Sequence, residues 1–425
     1  LGLQSVRVTG HAARKASWKA TAEPDHPIVS ANPQAHQART EQQMANIRHA
    51  HSHLMYFGWV TPALMALIAA RLPEVTGRRL LPGFRWALMA VFTTALLAYV
   101  PFLLYGYRPA TLGGMTLPLS TIGAGLNVFA WYGFVILYAR NTWRAPRNHP
   151  LRLWDAALGF LVLSSMGAWG AAVVSALDLQ DPFWAMASTH LFLDLFADGW
   201  FLLGLLGLVF VAHPAAARTR SAHWGETLLV IGLPLTFLLN LPISAMPGAV
   251  RVLAGIAGVV AAIGIFASLA ALLPAIWRRG DRAWLLPLTF LALKAGAMFI
   301  IAFPEGARWA GRMALRISYL HWLLLGFVTL GLMAAAAGRW GRQVVPGRRW
   351  FALSVLLLLA SLLPLTPLWP AAWRGAWALT AASWATLGPV LVAIIMLIGI
   401  GKRGLRIRHS PAVPIPDPGS PIPEQ

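Results

Sequence analysis

Arg48-His49-Ala50-His51-Ser52-His53-Leu54-Met55-Tyr56-Phe57-Gly58-Trp59 opens the first long apolar run of the chain. Residues 52–70 contain no Asp, Glu, Lys or Arg. A bilayer-spanning helix needs about 20 such residues. Three histidines at alternate positions, His49, His51 and His53, stand at its mouth. Bilayer interiors have no cheap use for imidazole, so a histidine in or near a span is a functional candidate. Neutral imidazole is the commonest protein ligand of metal centres, and haem iron uses it as well. The plainer reading puts the three in the headgroup layer, where polar side chains are tolerated.

Composition extends the membrane reading to the whole chain. Of 425 residues, 58% are hydrophobic and 11% charged, and the mean hydropathy is +0.63. Apolar runs of bilayer length recur at about 52–71, 84–106, 117–139, 152–177, 184–212, 225–245, 249–276, 283–303, 314–337, 350–369 and 376–400. The predicted fold is an all-α polytopic membrane protein, a bundle of eleven spans. The transmembrane domain covers 49–401. Residues 1–48 read as a polar, largely disordered tail with a short helix near Thr40–Ile47; His11, His26 and His36 receive no role. Residues 402–425 begin basic and become proline-rich, a composition that favours extended chain. No internal repeat is obvious.

The net charge of +20 resembles a nucleic-acid signal, but its distribution argues against that partner. Arginines concentrate in alternate loops: Arg71, Arg78, Arg79 and Arg85 in the first; Arg140, Arg144, Arg147 and Arg152 in the third; Arg218 and Arg220 in the fifth. The seventh has Arg278, Arg279 and Arg282, and the ninth Arg339, Arg342, Arg348 and Arg349. The even loops are poorer. By the positive-inside rule the odd loops and the C-terminus are cytoplasmic. The basic N-terminal tail, placed outside, is the one discordant point. There is no cysteine, which excludes disulfides, thiolate ligation and covalent c-type haem.

With this topology the first, fifth and ninth spans run in the same direction, and each carries a histidine toward its outer end: His53, His190 and His321. Taken singly, each fits a hydrogen-bonded core histidine. Taken together, they would form one layer. Asp194 and Asp198 follow His190 at i+4 and i+8, near one helix face. An acid at that depth must be paired, protonated or hydrated. The chain offers one buried cation, Lys294, midway along the eighth span. These three residues read as a proton path or as a structural ion pair. Asn127 and Asn240 read as packing groups.

These stretches resemble the haem–copper oxidase subunit I superfamily, and within it the NnrS-like proteins. His51-Ser52-His53-Leu54-Met55-Tyr56-Phe57-Gly58 is similar to the family's His-x-His-x-Met signature followed by Phe-Gly. Leu320-His321-Trp322-Leu323-Leu324-Leu325-Gly326-Phe327-Val328-Thr329-Leu330-Gly331-Leu332-Met333 is similar to a later NnrS-like stretch. The resemblance implies a twelve-helix fold. If the chain lacks its first helix, spans one, five and nine take the places of the ligand-bearing helices. It then implies haem b held by His53 (or His51) and His321, with His190 in the helix that supplies a copper ligand. The copper site is incomplete, because the sixth span, Thr227–Ser244, has no His-His pair and Asp194 stands where a tyrosine follows the ligand. The implied function is electron transfer or nitric oxide or oxygen chemistry, and any enzyme would be an oxidoreductase. The implied setting is a bacterial inner membrane, with the lipid bilayer and a redox partner or other membrane subunits around the chain. The competing reading is a cofactor-free transporter or structural subunit that uses Asp194, Asp198 and Lys294 as a polar path.

Overall fold

The computed structural model describes residues 33–242, 246–311, 313–373 and 375–409. The predicted polar tail over 1–32 and the proline-rich end over 410–425 lie outside them. Among the described residues, eleven helices are long and apolar enough to cross a membrane. They are α1 (Gln37–Thr76), α2 (Gly83–Tyr105), α3 (Leu119–Thr142), α4 (His149–Ala176), α5 (Pro182–Ala212) and α6 (Arg220–Asn240). The rest are α7 (Gly248–Arg279), α8 (Arg282–Ile301), α9 (Leu315–Trp340), α10 (Arg348–Leu365) and α11 (Trp377–Gly401). Each predicted span has its helix.

Two features depart from the sequence reading. The helix of α1 begins at Pro33, well before the predicted limit, so 33–48 is not a disordered tail with one short helix. Its Ala, Gln, Arg, Glu and Met are strong helix formers. Pairs one turn apart add to this: Gln37 Nε2 donates to Glu41 Oε1 (3.0 Å), and Gln42 Nε2 to Asn46 Oδ1 (2.8 Å). The second departure is a small β-hairpin, β1 (Ala110–Leu112) with β2 (Met115–Leu117), between α2 and α3. Leu112 pairs with Met115 across a two-residue loop. Gly113 and Gly114 have φ of 56° and 85°, the left-handed pair that a type I′ hairpin turn requires.

By internal packing the chain forms two units, Leu1–Trp59 with Met89–Trp131, and Val60–Leu88 with Tyr132–Gln425. In the first, Ala50, Ala98 and Phe102 form a buried cluster. Asn127 is wholly buried and donates to Val91 O and Thr94 Oγ1, both at 2.8 Å. It is the packing group the sequence suggested.

The second unit is organised on α5. Every residue from Leu195 to Phe210 is buried except Asp198, which is intermediate. A helix apolar on all sides is a core helix. Trp154 of α4 donates its indole N–H to Gly204 O (3.2 Å). Helices α6 and α7 meet through small residues; a Cβ on Gly232 would lie 2.7 Å from Ala257 O. Exposed tryptophans gather at helix ends. Trp86, Trp143, Trp224, Trp277 and Trp350 are 61–77% exposed, and each borders one of the arginine-rich loops. That placing is an interfacial aromatic belt.

Candidate functional site

Three spans contain a π-helical segment: Leu54–Val60 in α1, Phe196–Phe201 in α5 and Trp322–Thr329 in α9. Among the described residues no other span has one. These are the three spans that carry His53, His190 and His321. A π turn bonds i to i+5, inserts one extra residue and rotates the helix beyond it; such turns are rare and gather at functional sites. A local pattern recurs with them: a titratable side chain, four residues, then glycine and an aromatic. It reads His53…Gly58-Trp59, Asp194…Gly199-Trp200 and His321…Gly326-Phe327.

At two of these glycines a neighbouring helix lies where a side chain would go. A Cβ on Gly199 would overlap the Phe160 side chain, and one on Gly326 would lie 2.5 Å from the Phe290 ring. Gly199→Ala is therefore expected to destabilise by about 1–3 kcal/mol through overpacking. Thermal unfolding in detergent reads this directly, with Gly133→Ala, where a Cβ meets open space, as the control. Equal melting of the two variants would show that α5 does not approach α4 in this way.

In the first unit His53 is 6% exposed, and its Nε2 has no hydrogen-bond partner among the described residues. Its ring packs on Phe57 (4.6 Å, edge-on) and on Phe102 (4.7 Å). His49 stacks edge-on against Tyr107 (4.8 Å), and His51 is exposed. Since α1 continues for several turns before His53, the start of that helix no longer marks a membrane surface. His53 lies within this longer helix rather than at its mouth.

In the second unit, His321 Nδ1 donates to Ile317 O (2.8 Å). A carbonyl only accepts, so this bond places the proton on Nδ1 and leaves the Nε2 lone pair free. His190 Nδ1 lies 3.1 Å from Asp194 Oδ2, and Asn240 Nδ2 donates to the same oxygen (2.7 Å). A carboxylate behind an imidazole fixes its tautomer and its ring orientation. Asn240 thus orients Asp194, beyond the packing role read from sequence.

The buried cation does meet an acid. Lys294 is 0% exposed, and its Nζ lies 2.8 Å from Asp198 Oδ1. It donates also to Tyr319 Oη (2.9 Å) and Met298 Sδ (3.3 Å). An ammonium has three N–H donors, and all three are used. The two acids therefore serve different partners, Asp194 with His190 and Asn240, Asp198 with Lys294, whose ammonium also holds Tyr319. The π segment starts at Phe196, between them. Its wider turn breaks the simple i+4 alignment that sequence spacing implied.

Sequence reasoning missed Tyr319, Met298 and the orienting role of Asn240. A buried lysine needs three acceptors, so a tyrosine on an adjacent span was the signal to look for. Two more buried N–H groups without partners among the described residues, on Trp200 and Trp322, lie within the π segments. Among the described residues no group of three or more His, Cys, Asp or Glu side chains is placed to hold a metal ion. The chain matches no protein-family model and no curated protein.

Proposed function

We propose that this chain is a membrane-embedded b-type haem protein that serves electron transfer or the chemistry of nitric oxide or oxygen. The reading keeps the proposed kinship with the haem–copper oxidase and NnrS-like proteins, a bacterial inner membrane setting and a cytoplasmic C-terminus. One observation carries most weight: the π segments fall in the three spans that hold His53, His190 and His321. The donor chemistry fits. His321 and His190 each engage Nδ1 and leave Nε2 open, while His53 has a buried, unpartnered Nε2 against aromatic rings. Burial of an unpartnered polar atom is unfavourable, and coordination relieves it. Haem supplies one-electron redox change or an open iron position for a diatomic gas. This chain's residues supply the ligand nitrogens and an apolar surround, and Asp194 with Asn240 orients His190. No copper site is part of the proposal, since no three-ligand group accompanies His190 among the described residues.

The test is the visible spectrum of the protein purified in mild detergent from haem-replete cells. The expected result is a Soret band that shifts on reduction, with a pyridine haemochrome of the b type. Colourless, folded protein sinks this reading. A second reading then leads, that of a proton-coupled transporter, supported by the Asp198–Lys294–Tyr319 cluster inside the spans. Proton uptake by proteoliposomes that is lost in Asp198→Asn would support it.

A further inference from the structure

We infer that the groove at the start of α6, lined by Arg218, Arg220, His223, Trp224 and Thr227, binds the phosphate of an anionic phospholipid. The inference is independent of the haem reading and needs only that α6 meets a membrane. All five lining residues are exposed. Arg218 and Arg220 make no ion pair among the described residues. The nearest acid in sequence, Glu226, is already engaged: Arg152 Nε lies 2.8 Å from its Oε1, and His149 Nδ1 2.6 Å from its Oε2. The arginine charge is thus left uncancelled at the groove.

The local backbone adds to this. Thr219 caps α6 by accepting from the Ala222 N–H (3.2 Å), and His223 Nδ1 donates to Thr219 O (2.9 Å). That bond leaves the other imidazole nitrogen of His223 for the groove. The helix N-terminus contributes its partial positive charge.

A lipid, rather than a soluble anion, is favoured by the surroundings of the charge. Trp224 is one of the five exposed tryptophans bordering the arginine-rich loops, which sets the groove at headgroup level. Along α6, Trp224, Thr227 and Ile231 recur at helical spacing, and Ile231 is 63% exposed. An anionic head at the arginines therefore has an apolar stripe beneath it for an acyl chain. Basic pockets beside span ends suit acidic headgroups.

The experiment is native mass spectrometry of the full chain in detergent, titrated with phosphatidylglycerol or phosphatidylcholine, with inorganic phosphate in a separate arm. Two membrane-surface arginines contribute enough that Arg218→Gln/Arg220→Gln should bind phosphatidylglycerol about 30-fold more weakly. The control Arg278→Gln/Arg282→Gln loses the same charge and should bind as wild type. Equal weakening in the control, equal binding of phosphatidylcholine, or saturation by inorganic phosphate at the lipid's concentration would each overturn the inference. A melting curve for each variant confirms that it is folded before it is compared.

Discussion

Lys294→Met is expected to destabilise the folded chain by about 3–5 kcal/mol, the range for a buried ion pair that loses one partner. Methionine nearly preserves the volume, so a cavity does not account for the loss. Asp198, 2.8 Å away and with a side chain only 13% exposed, is left without its partner. Tyr319 loses the donor to its hydroxyl, and Met298 a weak contact. Asp198 must then hold a proton or draw in water, and both are unfavourable inside α5. Asp198→Asn should be harmful for the converse reason, since it leaves an ammonium without its counter-ion. The double variant Lys294→Met/Asp198→Asn removes both charges and should recover much of the loss, because neutral replacements of buried pairs are well tolerated. Unfolding of all four proteins in detergent closes a double-mutant cycle. Additive effects, with no coupling, would mean that the pair does not form.

How far the sequence carried depends on which physical signal each feature leaves. The spans leave the strongest, because a charge-free run of bilayer length is rare in a water-soluble fold. The Lys294–Asp198 pair was also legible, since a buried cation must find an acid. The hairpin had its signal in Gly113-Gly114 between Ala110-Thr111-Leu112 and Met115-Thr116-Leu117, but strands of three residues are too short for their alternation to stand out between two apolar spans. The extension of α1 to Pro33 was masked by polarity, because a polar helix without an apolar stripe shares its composition with a disordered tail. The π segments are the hardest to read. One inserted residue shifts helical phase without changing composition, and only the recurring glycine–aromatic pair after His53, Asp194 and His321 marked them. The bonds of Asn240 to Asp194 and of Tyr319 to Lys294 join residues 46 and 25 positions apart, a distance at which sequence spacing carries no geometry.

His321→Ala and His53→Ala are each expected to lose most of the Soret absorbance per folded chain, the largest functional effect among these variants. Axial ligation of b-type haem is the main link between the cofactor and the protein, so loss of an imidazole releases the haem or changes its spin state. The geometry separates these two from their neighbours. His321 has its tautomer set by Ile317 O, with Nε2 open. His53 is buried with an unpartnered Nε2. His51, two residues away, is exposed, so His51→Ala should keep the band. His190→Ala should keep the band too, and should alter instead how the reduced protein responds to carbon monoxide or nitric oxide. Added imidazole supplies the check against misfolding: it should restore the band in a folded alanine variant and do nothing for an unfolded one. If His321→Ala and His53→Ala both keep the full band, neither residue is a haem ligand. Their π segments would then serve helix packing alone, and the polar groups of α5, α8 and α9 would become the leading site.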